Sequence, residues 1–580
     1  MSSEQELDAL VQAREAAIAS NEQSAREWPD TQAQIVLGSI GSAVVLFILS
    51  SAGGNSSAPL ALLAFVAVAV GIVAGVCGAP QVEVPDLPAP KVMVHGDAHF
   101  ATEEEAAAHG ITTDRLAPTD MFLGWLNNAM VRYGGPKSVI SIGAAGSGKL
   151  ATIFVTNLLN MFGCSIIVND PKGESAAITA LWRATVSTVY VLNPFGILLH
   201  LPWMKTARFN PLAELDYRAA SFAADVGALA KALILQDGKG DSYWTDSARN
   251  FVAGVIAYVC SQFGEVCTLP RVNDILHLAR AEFLAVMRLM AESPSLLARQ
   301  AAAPFLEENQ PKSLLDTLQT ARTQLGSFLM ADGIRDVLSG SDFSWRDLKR
   351  EDVTVYICLP EAESKAYCRF TRLLYASALK ALLQLPARPV YMLLDELATS
   401  LGDSQLDMVD TAFNLGRGYG VRVHAVFQNW GQAKAVFGER AESIESGAGL
   451  VQFFMASDET TFRKMQSRAG KSTLWTKVPS TSANEGTSTS EGPQGGQSIS
   501  VSQGTSRSES EQAYEVPLVD PHFAYEGLGR PEPGNGWHAS QLLFYEGLAS
   551  PVVATRAAYW VLPDIAWKAS PNPFVEESDE

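Results

Sequence analysis

Apolar and polar positions along this chain fall into distinct regimes. From Thr31 to Val82 there is no Asp, Glu, Lys or Arg, and two apolar runs, about 35–51 and 58–79, are separated by Gly53-Gly54-Asn55-Ser56-Ser57. Each run approaches the length needed to cross hydrocarbon. The pattern predicts a transmembrane helical hairpin within 34–80, preceded by a polar tail at 1–33 and followed by a Pro-containing connector at 81–133. The tail argues against a cleavable signal peptide. A buried helical hairpin in a soluble core is the competing reading.

Beyond the connector, short apolar runs alternate with helical patterns. Ser138–Ile142, Cys164–Val168 and Val186–Leu192 read as strands, and so do Val353–Leu359, Pro389–Leu394 and Val421–Phe427. Such runs predict a parallel α/β sheet covered on both faces, over 134–220 and 346–470. Between these parts, Ala219–Leu235, Ser247–Phe263, Val272–Leu289 and Ser313–Leu329 carry apolar residues at helical spacing, which predicts an inserted all-helical domain at 221–345. Residues 471–515 are rich in Ser, Thr, Gly and Gln, with almost no large apolar residues. They predict a disordered loop. Strand-like sequence returns at Gln541–Tyr545 and Pro551–Leu562, placing a final sheet-edge portion of the domain at 516–565. An acidic tail at 566–580 closes the chain.

Charge narrows the partners. The net charge is −19 over 580 residues, which opposes nonspecific attraction to nucleic acid over the whole surface but leaves a local basic channel open. The insertion holds 10 Lys/Arg against 14 Asp/Glu, a net of −4. A domain built to grip DNA phosphates would be basic, so the balance tilts toward protein or nucleoprotein cargo. The six cysteines form no CxxC pair and read as buried thiols of a reducing compartment. No metal site is visible beyond the magnesium that a phosphate loop implies.

That loop is Gly143-Ala144-Ala145-Gly146-Ser147-Gly148-Lys149-Leu150, directly behind the strand at 138–142. Glycines let backbone N–H groups point at phosphate oxygens, the following helix adds its positive end, and Lys149 reaches the terminal phosphates of ATP. The eighth position normally carries a Ser or Thr hydroxyl for Mg2+; here it is Leu150. A second apolar strand ends in Asp395-Glu396. Asp395 is suited to hold Mg2+ through water, and Glu396 to activate the attacking water. An ordinary strand ending in a solvated turn is the alternative. Gln428, at the tip of another strand, is placed to sense the γ-phosphate. Arg417, in Gly416-Arg417-Gly418-Tyr419-Gly420, is either a surface arginine or a cation that stabilises transition-state charge, in cis or across a subunit boundary.

Taken together, these pieces resemble the type IV secretion coupling proteins, the conjugative TraG/TraD-like P-loop ATPases. The matching elements are the membrane hairpin, Gly146-Ser147-Gly148-Lys149, Asp170-Pro171-Lys172-Gly173-Glu174, and Tyr243-Trp244 with Ala248-Arg249. To these are added Leu394-Asp395-Glu396 and the Gly416–Val421 stretch leading to Gln428. The resemblance implies a RecA-like motor domain with an all-helical insertion, assembling as a homo-hexamer at the bacterial inner membrane. The bulk of the chain would be cytoplasmic. It also implies that Lys149, Asp395 and Glu396 carry ATP hydrolysis, that Gln428 is the γ-phosphate sensor and that Arg417 acts on a neighbour's ATP. By the same analogy Arg463 and Lys464 fall where the family places a further phosphate-facing cation. The implied partners are secretion-channel components, adaptor proteins, and an effector protein or relaxase-bound DNA as cargo. Two rival readings remain: a hexameric translocase acting on DNA alone, and a nucleotide-gated docking platform with little hydrolysis, which Leu150 favours.

Overall fold

Strand β8 (Val390–Leu394) explains how the centre of the molecule is built. Its side chains alternate across the sheet, with Val390, Met392 and Leu394 in one hydrophobic cluster and Tyr391 and Leu393 in another, all of them buried. A strand that is apolar at every position is the signature of a sheet covered on both faces. Truncating Leu394 to Ala would cost about 2–5 kcal/mol.

The computed structural model describes residues 96–236, 242–263, 267–308, 312–384, 388–402, 407–491 and 497–575. The tail at 1–33 and the expected membrane hairpin lie outside them. Among the described residues no helix is long and apolar enough to cross a membrane.

Fourteen strands are described: β1 (Thr112–Thr113), β2 (Met121–Leu126), β3 (Ala129–Tyr133), β4 (Val139–Ile142), β5 (Ser165–Asn169), β6 (Thr188–Leu192), β7 (Val353–Ile357), β8, β9 (Val421–Phe427), β10 (Leu450–Phe453), β11 (Lys471–Glu491), β12 (Gln497–Pro517), β13 (His538–Tyr545) and β14 (Val552–Ala557). Twelve of them form one sheet in the order β1-β3-β2-β14-β13-β10-β4-β9-β8-β5-β7-β6. The run from β10 to β6 is parallel, and the remaining pairings are antiparallel. Register brings the carboxyl ends level: Ile142 pairs with Phe427, Leu394 with Ala425, and Asn169 with both Leu394 and Ile357. The turns after β4, β5, β7, β8 and β9 therefore emerge at one edge, where ligands bind in open α/β sheets.

A chain of buried polar side chains crosses the middle of this sheet. His424 on β9 bonds Ser141 on β4 at 2.7 Å, and Ser141 donates to Gln452 on β10 at 2.6 Å. Gln452 donates to Gln541 on β13, which donates to the Leu123 carbonyl on β2. Each donor–acceptor pair fits only one strand register, because a slip would leave buried polar atoms unpaired.

Between β6 and β7 every described element is helical. Among the described residues, the insertion shares one buried core with the sheet. Leu229, Leu233, Phe251 and Leu325 belong to the same buried cluster as Ile167 and Met392 of the sheet and Leu373 and Leu374 of the helix Cys368–Leu382.

Three segments differ from the sequence expectation. The described part of the connector, 96–133, is not a linker. It contributes a helix, Glu103–Ala108, capped by Thr102 and Glu105 in a reciprocal capping box, and strands β1–β3. Because those strands extend the sheet outward, β13 and β14 lie inside it, between β10 and β2, rather than at its edge. The Ser/Thr/Gly-rich stretch expected to be disordered forms the β11–β12 hairpin, in continuous register from Lys471↔Pro517 to Glu491↔Gln497. The stretch pairs backbone to backbone but holds almost no large apolar residues, and that is why apolar content gave no sign of it. Its base is tied to the body by Ala98 N–H donating to the Lys471 carbonyl at 3.1 Å and by Leu518 N–H donating to the Gly470 carbonyl at 3.1 Å.

Candidate nucleotide site

The phosphate loop leaves β4 with its first residue still tied to the sheet. Gly143 N–H donates to the Phe427 carbonyl at 3.0 Å. A side chain at Gly143 would lie 2.7 Å from the Phe454 ring. Gly146 and Gly148 have φ of +72° and +79°, a left-handed backbone that only glycine adopts freely. With Ala144, Ala145 and Ser147 they form a turn closed by Ser147 N–H to the Ala144 carbonyl at 3.2 Å.

Lys149 is buried, and its Nζ rests 3.3 Å from the Gly143 carbonyl and 3.5 Å from that of Ala144. Ser147 Oγ is buried with no hydrogen-bond partner among the described residues. A buried ammonium held by carbonyls, beside an unpartnered buried hydroxyl at a glycine-rich turn, fits the terminal phosphates of a nucleotide.

The helix behind the loop opens as a π-turn, Leu150–Phe154, before continuing as the α-helix Val155–Asn160. Thr156 Oγ1 donates to the Ala151 carbonyl, five residues back, at 3.1 Å, and Thr152 Oγ1 to the Gly148 carbonyl at 2.8 Å. Such turns recur at functional sites. Leu150 is half-buried against two hydrophobic clusters, which explains an apolar side chain at this position.

Asp395 and Glu396 follow β8 at the same edge. Burial pushes the Asp395 carboxyl up to about 6, partly offset by the Lys149 ammonium. A buried carboxylate beside a lysine fits a divalent cation, although Leu150, at the position that usually supplies a hydroxyl ligand, cannot share it. Glu396 takes a left-handed backbone, φ +51°, rare for a residue with a side chain. Two bonds hold that corner: Glu396 N–H to Asp395 Oδ1 at 3.0 Å, and Asn169 Nδ2 to the Asp395 carbonyl at 2.5 Å. Gln428 reaches across from β9, its Nε2 donating to Glu396 Oε1 at 2.8 Å.

The Asp170–Glu174 turn supplies the opposite wall. Asp170 is fully buried, its carboxyl raised to about 7 by burial, and its Oδ2 accepts from Ala176 N–H at 2.7 Å. It is thus a clamp on the start of the helix Glu174–Val186, and it presents Lys172 and Glu174 to the cleft. The resulting cavity, about 380 Å³, is lined among others by Gly146, Lys149, Leu150, Asp395 and Glu396.

Not every expected residue converges there. Arg417 is exposed on the short 3-10 turn before β9. The seven residue steps from Val421 to Gln428 span about 23 Å at about 3.3 Å each, so Arg417 sits at the opposite end of the strand from its own phosphate loop. Lys464 instead pairs with Glu445 at 2.5 Å and lies over the Trp430 ring, and Arg463 pairs with Glu459 at 2.7 Å. Neither lines the cleft.

Sequence reasoning missed Glu361, Tyr559, Trp560, Asn572 and Val575, all of which line the cavity. Glu361 follows the end of β7, so its place at the carboxyl edge was the available signal. The last four come from the end of the chain, where no local pattern marks them. The described part of the acidic tail is therefore not simply a solvated end.

Comparison with known proteins decides the family. The model described as "Type IV secretory system Conjugative DNA transfer" matches residues 108–578. The chain belongs to this family. Among curated relatives, the conjugal transfer protein TraG of Escherichia coli is 28% identical over 384 residues, 59% of this chain and 58% of TraG. Protein VirD4 of Agrobacterium fabrum is 26% identical over 350 residues, 58% of this chain and 50% of VirD4. The chain thus spans little more than half the length of these relatives. The solved structure of the bacterial conjugative coupling protein TrwB, an unbound N-terminally shortened form, superposes with a TM-score of 0.56 at 16% identity, covering 79% of this chain and 94% of that one. TrwB solved with ADP and Mg2+ gives 0.54 at 16% identity, covering 79% and 95%. The fold of this family member is therefore the TrwB fold, a mixed α/β architecture around a large central sheet.

Proposed function

We propose that this chain is a membrane-anchored coupling ATPase of a type IV secretion system. In this reading it recruits an effector protein or relaxase-bound DNA and delivers it to the secretion channel using ATP. One observation carries the proposal: Lys149, Asp395 and Glu396 line a single cleft behind a glycine-rich loop, with Gln428 bonded to Glu396, in a chain of the conjugative DNA transfer family.

In this reading the loop N–H groups and Lys149 hold the β- and γ-phosphates. Mg2+, when bound, neutralises charge on those oxygens; Asp395 is the residue that would hold it, through water. Glu396 accepts a proton from the attacking water, and Gln428 fixes the carboxylate that does so. Arg417, too far from its own loop, acts on the nucleotide of a neighbouring subunit, which requires a ring; six subunits at the inner membrane, with the bulk of the chain cytoplasmic, follow from the family resemblance.

ATP turnover by the full chain, with ring assembly checked by mass, tests the proposal against Lys149→Ala and Glu396→Gln. We expect turnover in the unmodified ring and its loss in both variants. Equal, near-zero rates in all three assembled rings would overturn the motor. They would leave the second reading, a nucleotide-gated docking platform, which Leu150 favours because it contributes no hydroxyl to a metal.

A further inference from the structure

The cleft has two chemically different walls. Lys149, Lys172, Glu174, Asp395 and Glu396 form the polar one, at the strand exits. The other is apolar. Val155 and Ile178, from the two helices that flank the loop, pack with Tyr559 in a buried cluster that Leu150 and Ala151 join, and Trp560 completes the wall. Tyr559 and Trp560 come from the segment after β14, almost the end of the chain.

Trp560 is built as a platform rather than as core. Its ring is 5.0 Å from that of Tyr559 at 82°, and 5.2 Å from that of Trp537 at 80°. Two edge-to-face neighbours fix its plane, yet 41% of the residue stays exposed beside the cavity. The segment beyond it is latched to the polar wall: Asn572 Nδ2 donates to Glu174 Oε1 at 2.7 Å while Asn572 Oδ1 accepts from Phe574 N–H at 2.9 Å. Both ends of that amide are engaged. The aromatic wall accordingly offers a face to stack on.

We propose that the C-terminal segment is the base-binding wall of the nucleotide cleft, with Trp560 stacking on the purine. This rests on the nucleotide reading and adds the residue that holds the base. Among the described residues that line the cleft, this apolar wall is where a nucleotide with its phosphates on the loop at Gly148 and Lys149 can lay its base out of water. The last described residues of the chain thus become part of its nucleotide site, so nucleotide occupancy and the seating of this segment favour each other.

Calorimetric titration of the full chain with ATP and, separately, with inorganic tripolyphosphate tests the assignment. Base–aromatic stacking predicts that Trp560→Ala weakens ATP about tenfold, that Trp560→Phe recovers most of the loss, and that tripolyphosphate binds both variants as it binds the unmodified chain. That last titration also verifies that the phosphate site has stayed folded. Equal weakening of ATP and tripolyphosphate, or none of either, overturns the base wall while leaving the nucleotide reading intact. Failure of the unmodified chain to bind either probe overturns both.

Discussion

Gln428 donates its side-chain amide to the Glu396 carboxylate at 2.8 Å, joining the tips of two neighbouring parallel strands, β9 and β8. The bond orients a carboxylate whose own backbone is left-handed. Asp395 and Asn169 hold the corner below, and Gln428 fixes the side chain above. Removing Gln428 therefore loosens an acceptor without removing it. We expect Glu396→Gln to lower single-turnover ATP hydrolysis by about 10²–10⁴-fold, and Gln428→Ala to lower it less. ATP affinity should change by no more than a few-fold in either variant, because neither residue holds the loop. Comparable loss of ATP binding would place both residues in the folding of the site rather than in its chemistry.

Arg417 gives the second expectation. It is exposed at the far end of β9 from its own phosphate loop. An arginine acting across a subunit boundary is worth about 10³–10⁵ in turnover. Arg417→Ala should therefore abolish hydrolysis while leaving ATP binding unchanged. Rings mixed from Arg417→Ala and Glu396→Gln chains should regain part of the activity, since some interfaces then combine an intact arginine with an intact carboxylate. Wild-type turnover in Arg417→Ala rings would show that the residue is a plain surface arginine.

Much of this was legible in the sequence, and the parts that were not share a cause. The strand at 390–394 carries an unbroken apolar run, those at 138–142 and 353–357 are apolar apart from Ser138, Ser141 and Thr354, and the loop at 143–150 announces its glycines. Local pattern suffices for such elements. Strand β2 is different: Met121-Phe122-Leu123-Gly124-Trp125-Leu126 holds a glycine with φ of +121°, where a side chain would meet the Thr555 carbonyl at 2.1 Å. Its reason is a strand over 400 residues away, which periodicity does not see. The β11–β12 ribbon has no apolar face to read. Trp560 lies at the cleft only because the chain end folds back onto the helix Glu174–Val186, where Ser570 N–H donates to the Ile178 carbonyl at 2.8 Å.

Leu150 supplies a third test. Its side chain packs between two hydrophobic clusters, so a shorter polar residue loses some burial, about 1–3 kcal/mol. In return Leu150→Thr presents a hydroxyl where phosphate loops usually ligate magnesium. We expect a lower melting temperature together with a lower Mg2+ concentration for half-maximal ATP hydrolysis. An unchanged Mg2+ requirement, with ATP binding retained, would mean that the π-turn keeps this position out of reach of the metal.

His424 supplies the last. Burial drives its imidazole down to about 3, and the ring faces Ser141 on β4 and Phe154 on the loop helix, neither of them charged. Ser141 spends its proton on Gln452, so His424 Nε2–H donates to Ser141 and Nδ1 is left without a partner. Protonation would place a charge on that buried nitrogen. In the unfolded chain the imidazole titrates near 6.5. Above that pH both states are neutral and His424 leaves stability flat. Between about 6.5 and 3 the unfolded chain binds a proton that the folded chain refuses, so stability falls as pH falls, by at most about 1.4 kcal/mol per pH unit from this group. His424→Gln keeps a donor toward Ser141 and removes the titration. Denaturation midpoints at pH 7 and pH 5 should therefore differ less in the variant than in the unmodified chain. Parallel losses in the two would mean that His424 finds a proton acceptor or water in the folded sheet, and that the polar chain from β9 to β2 is wetter than its burial implies.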